Sequence, residues 1–258
     1  MFEPDIYWGL LTGMAVLAVV VWIALTRIEA PYGIMYRRGW GPGLDNRVGW
    51  VLMEAPAFVA MALLMLLSPQ GCSAADCAAY VCGGLFLLHY FRRSFIFPLL
   101  MRGKSRMPLV IALMGACFNI INVYLIGGWL FYLSPLSYGV EWLTSWQFLA
   151  GLLIFGFGMG CNWQADYIVR HLRKPGDTRH YIPRGGVFRF VTAGSYFGEI
   201  VEWAGFALLT CSWAGAVFLL WTMANLVPRA ARLHKRYMRE FGNEYKSLGR
   251  RRIIPFIY

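Results

Sequence analysis

A glutamate stands in the apolar run Trp50-Val51-Leu52-Met53-Glu54-Ala55-Pro56. A charge inside a membrane span costs at least ~2–3 kcal/mol, so Glu54 needs a reason to be there. One reason is an ion pair that ties helices together. The other is chemical: a carboxyl held neutral among apolar neighbours can donate a hydrogen bond. His89-Tyr90 and Arg92-Arg93 fall in a second apolar run, where a buried tyrosine hydroxyl also needs a partner. Glu199 and Glu202, three residues apart, share neighbouring helical surface at the start of a further run. The basic loop before them is the expected source of their partners.

Asn162, Asp166, Arg170 and Arg173 are spaced by four, four and three, which puts them on one helical face. The stripe leads out of an apolar segment toward a basic loop, Leu172-Arg173-Lys174-Pro175-Gly176-Asp177 through Ile182-Pro183-Arg184-Gly185-Gly186. Glycines let a backbone approach a ligand closely, and arginine forks suit phosphates. A diphosphate with one further phosphate matches this charge; a network that only ties helices together is the alternative. Gly156-Phe157-Gly158-Met159-Gly160 superficially matches a dinucleotide fingerprint, but it lies inside an apolar helix with no strand before it. Close helix packing through small residues is expected there instead.

These side chains need a membrane-embedded frame. Of 258 residues, 59% are hydrophobic and 14% charged, whereas soluble domains carry about 25% charged residues. Segments of about 20 apolar residues cross a bilayer. Seven are expected, at residues 6–26, 49–67, 78–101, 108–133, 147–169, 195–211 and 213–227, the last two joined by a tight turn near Cys211–Trp213. A separate basic amphipathic helix is expected from Pro228 to Phe241. All 24 Lys and Arg residues fall on one side of this scheme, late in spans one, three, five and seven or after them. The other side carries only Glu3, Asp5, Asp76 and Glu141. The positive-inside rule then puts the N-terminus outside and the C-terminus in the cytoplasm. The net charge of +11 is scattered between apolar segments, which suits anionic lipid or ligands and not nucleic acid. The six cysteines have no metal spacing; they are expected to pack, although Cys72 and Cys77 could pair in an oxidising compartment. The first apolar run is long enough to remain as a span.

Taken together, these blocks resemble the steroid 5α-reductase family from about Tyr32 to Tyr258. The strongest segments are Trp50 to Pro56, His89-Tyr90-Phe91-Arg92-Arg93-Ser94-Phe95, Asp166 to Asp177 and Ile182 to Phe188. Tyr196-Phe197-Gly198-Glu199-Ile200-Val201-Glu202-Trp203 and Ile253 to Tyr258 complete the set. The resemblance implies an all-α, seven-helix membrane domain over residues 1–258. Helices 1–4 (1–133) would form most of the substrate cavity. Residues 134–258 would form most of an NADPH site open to the cytoplasm. A Δ4-3-keto steroid would enter from lipid, its ketone held by Glu54 and Tyr90 as catalytic residues. Cofactor contacts would fall on Tyr32, Arg93, Asn162, Asp166, Arg170, Arg173, Ser195, Glu199, Arg229 and Tyr237. The chain departs from the mammalian steroid enzymes at Met53, Phe97 and Met114, which would face the substrate, and at Gln164, Ser195 and Leu233. A monomer is expected, in a bacterial inner membrane or an endoplasmic reticulum, with no metal.

Two other classes are open to the residues. A membrane methyltransferase of related C-terminal fold would bind S-adenosylmethionine, but would need neither Glu54 and Tyr90 nor so many arginines. A transporter or receptor would consume no reduced nicotinamide. Within the reductases, polyprenals and enoyl thioesters are alternative substrates.

Overall fold

A computed structural model describes residues 2–28, 39–69, 73–102, 105–174, 177 and 179–258. Tyr32 and Cys72 lie outside the described residues. Helices dominate, because in lipid each backbone N–H and C=O must find its partner within its own segment. The first is α1 (Pro4–Arg27), entered through a proline whose missing N–H costs nothing in a first turn. A short strand β1 (Gly43–Asp45) leads into α2 (Asn46–Leu66), whose start is capped by Asp45 accepting from Arg47 N at 2.8 Å. Next come α3 (Cys77–Phe91), a π-helical turn (Arg92–Ile96) and α4 (Phe97–Leu100). Strand β2 (Arg106–Pro108) precedes α5 (Leu109–Gly128), which ends in a second π-helical turn (Trp129–Leu133). The chain closes with α6 (Trp146–His171), α7 (Gly194–Thr210) and α8 (Trp213–Lys246).

Among the described residues, five helical stretches are long and apolar enough to cross a membrane: α1, α2, Leu109–Leu133, α6 and α8. The third expected span is helical from Cys77 to Leu100 but is divided by its π turn. The sixth, α7, has 17 residues. The tight turn between α7 and α8 is as expected: Cys211 is left-handed (φ 45°) and Ser212 caps α8 by accepting from Gly215 N at 3.0 Å.

Two features differ from the sequence expectation. Strands β1 and β2 pair antiparallel, Gly43 opposite Pro108 and Asp45 opposite Arg106, so the fold is not purely helical. And α8 does not stop before Pro228. It runs through it without a break, merging the short last span with the basic amphipathic segment. Proline leaves the carbonyl of Ala224 without its helical donor. Contacts on both sides of it hold the helix in line: Trp221 Nε1 donates to Met14 O at 2.9 Å and Arg232 Nη2 to Leu25 O at 2.8 Å. The break comes later, at Gly242 (φ 52°).

The core is aromatic. Trp203 on α7 is fully buried among Phe86, His89, Tyr90, Phe155, Phe206 and Phe218. Each such ring pair adds ~0.5–1.5 kcal/mol beyond burial. Helices α6 and α7 pack through glycines: a Cβ on Gly151 would sit 2.7 Å from Gly205 O, and one on Gly158 2.7 Å from Gly198 O. Of the expected small-residue run, only Gly158 serves this seam, for Gly156 and Gly160 face open space.

Candidate active site

Five helices, α2, α3, α5, α6 and α7, bring the polar residues of the apolar runs to one place. Glu54 comes from α2, two residues before Pro56, which has no N–H to give the carbonyl of Leu52. Tyr90 comes from the end of α3, stacked on Phe86 at 4.5 Å. They do not meet directly. Asn119 on α5 lies between them: the Tyr90 hydroxyl donates to Asn119 Oδ1 at 3.0 Å, and Asn119 Nδ2 donates to Glu54 Oε2 at 3.1 Å and to Met53 O at 2.8 Å. All three side chains are buried.

The π turn after α3 serves two neighbouring arginines in different directions. Such turns are rare and frequent at functional sites. Arg92 reaches α6, donating to Asn162 Oδ1 at 3.1 Å and to Asp166 Oδ2 at 2.8 Å. Arg93 stands between two carboxyls, 3.9 Å from Glu54 Oε1 and 3.5 Å from Glu199 Oε2. Its guanidinium covers the rings of Trp50 (4.2 Å) and Phe97 (4.9 Å). Asn162 Nδ2 donates to Ser195 O at 3.0 Å. His89 Nδ1 lies 2.7 Å from Glu202 Oε1. The partners of Glu199 and Glu202 therefore include Arg93 and His89, from the end of α3 and its π turn, where the preceding basic loop was expected.

The structure thus joins Glu54, Tyr90, Arg93, Phe97, Asn162, Asp166, Ser195 and Glu199 in one tract. Arg229 is near its α7 side, with Nε donating to Tyr196 at 2.7 Å. Tyr237 packs farther along α8 against Phe241 and Tyr245. Arg170 lies over Tyr167 at 5.7 Å, and Arg173 is exposed beyond the helix end. Met53 turns its side chain to Gly115. Met114, one residue earlier, is 61% exposed; a helix turns 100° per residue, so it points away from the line of Gly115 and Asn119. The sequence reading missed Asn119, although a polar residue in an apolar span was its signal, and it did not single out Arg92 or the His89–Glu202 pair.

The basic loop is partly engaged already. Asp177 accepts from Arg179 (3.2 Å) and Tyr181 (2.6 Å), and those hydrogen bonds hold its carboxyl well below the usual range. His180 pairs with Glu240 at 2.5 Å and Arg184 with Glu244 at 2.8 Å, clasping the loop to the end of α8. Gly186 (φ 48°) lies so close to Gln164 that a Cβ would meet its amide.

The residues fit a phosphorylated dinucleotide: guanidiniums for phosphates, and carboxylates and an amide for hydroxyl or carboxamide groups. Glu202 is fully buried, its Oε1 on His89 and its Oε2 without a hydrogen bond among the described residues. Fold and site define a helical membrane protein with a buried polar tract. Residues 105–258 match the 3-oxo-5-alpha-steroid 4-dehydrogenase family. The chain is 40% identical to the steroid 5-alpha-reductase DET2 of Gossypium hirsutum, over 98% of its own length and 97% of that protein. It is 41% identical to 3-oxo-5-alpha-steroid 4-dehydrogenase 1 of Homo sapiens, over 82% and 80% of the two chains. The chain belongs to the 3-oxo-5-alpha-steroid 4-dehydrogenase family, a family of oxidoreductases.

Proposed function

We propose that the protein reduces the Δ4 double bond of 3-keto steroids with NADPH, giving 5α-reduced 3-oxosteroids. The observation that carries this reading is the linked pair Glu54 and Tyr90, buried in an apolar bundle beside the Arg93–Glu199 and Arg92–Asn162–Asp166 groups. NADPH supplies the hydride when bound. Asn162, Asp166, Ser195, Glu199 and Arg229 would hold it, with Arg170, Arg173 and Tyr237 toward the cytoplasm and Tyr32 as a further contact. Residues 1–133 wall most of the steroid cavity, and 134–258 most of the cofactor site.

As the enone β-carbon is reduced, negative charge builds on the carbonyl oxygen. Donors already in place stabilise the enolate without reorganisation. The Tyr90 hydroxyl is one. The Glu54 carboxyl is the other: the Arg93 guanidinium lies closer to Glu199, so a neutral Glu54 leaves that group balanced. The α-carbon then takes a proton from water or a nearby acid. Purified protein in detergent, given NADPH and a panel of 3-oxo-4-ene steroids, should yield 5α-reduced products by mass spectrometry. No product from any of them sinks the reading.

The several guanidiniums and the scarcity of nearby free acids favour a cofactor with the extra phosphate. NADPH should outperform NADH in kcat/KM. Arg173→Ala should mainly weaken cofactor binding. Equal efficiency with NADH, or unchanged affinity in a folded Arg173→Ala protein, would count against this.

Seven spans, N-terminus outside and C-terminus cytoplasmic, complete the reading. Contacts between segments expected on one side support it. Arg47 Nη2 donates to Met101 O at 2.7 Å beside the β1–β2 pair, and Arg232 reaches Leu25. On the other side, Ala78 N donates to Tyr138 O at 2.8 Å. A reporter fused after Ser137 should appear outside, and after Arg106 or Gly185 inside; a cytoplasmic Ser137 fusion overturns the orientation.

A further inference from the structure

Asn119 has every polar atom of its side chain engaged. Nδ2 has two acceptors, Met53 O at 2.8 Å and Glu54 Oε2 at 3.1 Å, and Oδ1 has one donor, Tyr90 at 3.0 Å. The orientation of such an amide is set by its hydrogen-bond network. Here one partner decides it. A backbone carbonyl can only accept, so the NH2 end must face Met53 O. Oδ1 must then face Tyr90, and an amide oxygen can only accept. The hydroxyl of Tyr90 therefore donates, and its proton has a fixed direction before any ligand arrives.

A neutral ketone is no better an acceptor than an amide oxygen, so it gains little by drawing the Tyr90 proton away from Asn119. An enolate oxygen carries charge, and charged acceptors make hydrogen bonds roughly twice as strong. The switch of the Tyr90 proton from Asn119 to the substrate becomes favourable as charge develops. An interaction stronger in the transition state than in the ground state raises kcat and leaves KM nearly unchanged.

We propose that Asn119 is a positioning residue for the reaction: it orients the Tyr90 hydroxyl and the Glu54 carboxyl and reserves the Tyr90 proton for the enolate. The inference rests on the Glu54–Tyr90 reading of the site. No covalent step passes through Asn119, whose amide keeps all its atoms. Its packing position is ordinary; its role lies in coupling α2 to α3.

The test is a double-mutant cycle. Asn119→Leu keeps the number and branching of heavy atoms and removes both hydrogen-bonding ends. It should lower kcat about 100-fold, the scale of loss from a small misplacement of reacting groups. The steroid KM should not rise, since without Asn119 the Tyr90 proton is free to meet the ground-state ketone as well. Because Asn119 acts through Tyr90 and Glu54, Asn119→Leu/Tyr90→Phe should be within about tenfold of Tyr90→Phe alone, far short of the product of the two losses. Asn119→Ser keeps one hydroxyl and makes room for a water, so it should recover part of the rate. If the leucine protein does not fold, the serine variant carries the same cycle. NADPH affinity and thermal melting in detergent separate misfolding from misplacement. Three results overturn the proposal: turnover near wild type in either variant; a rise in KM with kcat unchanged; or losses that multiply in full with Tyr90→Phe. Steroid turnover by the wild type, and the effect of Tyr90→Phe alone, test the functional reading separately.

Discussion

Glu54→Ala and Tyr90→Phe should each lower turnover about 100- to 1000-fold, the usual cost of losing one donor to a developing oxyanion. Cofactor affinity should change far less, because in the proposed mechanism both groups act on charge that appears only as the hydride moves. The two variants differ in what they leave behind. Tyr90→Phe keeps the ring, and with it the stack on Phe86 at 4.5 Å and the contact with Trp203 at 6.2 Å. It strands Asn119 Oδ1, at about 1–3 kcal/mol for a buried polar atom without its partner. Glu54→Ala opens a gap on α2 and removes one of the two carboxyls beside Arg93. Glu54→Gln keeps a donor and should retain more activity than Glu54→Ala. The measurement is single-turnover reduction of a 3-oxo-4-ene steroid, with folding checked by NADPH binding. If Glu54→Ala and Tyr90→Phe both bind NADPH and react at near wild-type rates, the ketone is held elsewhere.

Glu54, Tyr90 and the Asn162–Asp166 stripe were legible in the sequence because polar groups in apolar runs are costly. Their identity alone marks them. Five long apolar helices among the described residues were legible for a related reason: about 20 apolar residues are needed per crossing, and composition over that length shows plainly. What joins the segments was not legible. Asn119 lies 65 residues from Glu54, and nothing local shows that its amide bridges two other helices. The π turn at Arg92–Ile96 leaves no mark in hydropathy, yet it lets adjacent arginines serve α6 on one side and α2 with α7 on the other. Pro228 misled in the opposite sense. Proline is a sound local signal for a helix boundary, and here contacts 207 residues away in sequence, from Trp221 to Met14 and Arg232 to Leu25, outweigh it. Charge pairing showed the same limit. The basic loop nearest to Glu199 and Glu202 in sequence is clasped to α8, and the two acids turn to His89 and Arg93.

Gly198→Ala should cost the protein about 1–3 kcal/mol of stability or more, the range for overpacking a well-filled interior, and should weaken NADPH binding as well. The added methyl would run into the backbone N of Asn162 and lie 2.7 Å from Gly158 O. Neither neighbour is a side chain that can change rotamer. The only relief is for α7 to move away from α6. That motion stretches the bond from Asn162 Nδ2 to Ser195 O, 3.0 Å in the native packing. It also carries Glu199, the next residue, relative to Arg93. Stability and cofactor affinity should therefore fall together. Gly158→Ala faces the backbone N of Glu202 from the other helix and should behave alike. The control lies two residues from it on α6. Gly156 has nothing within 4 Å of where a Cβ would be, and alanine is a better helix former than glycine by about 1 kcal/mol. Gly156→Ala should be neutral or stabilising, although it belongs to the same Gly-x-Gly-x-Gly run. Thermal unfolding in detergent and NADPH titration of the three variants make the comparison. A Gly198→Ala protein that melts with wild type would show that the two helices are not in backbone contact. Equal losses in Gly156→Ala and Gly158→Ala would show that the run matters as a sequence and not through the face it turns to α7.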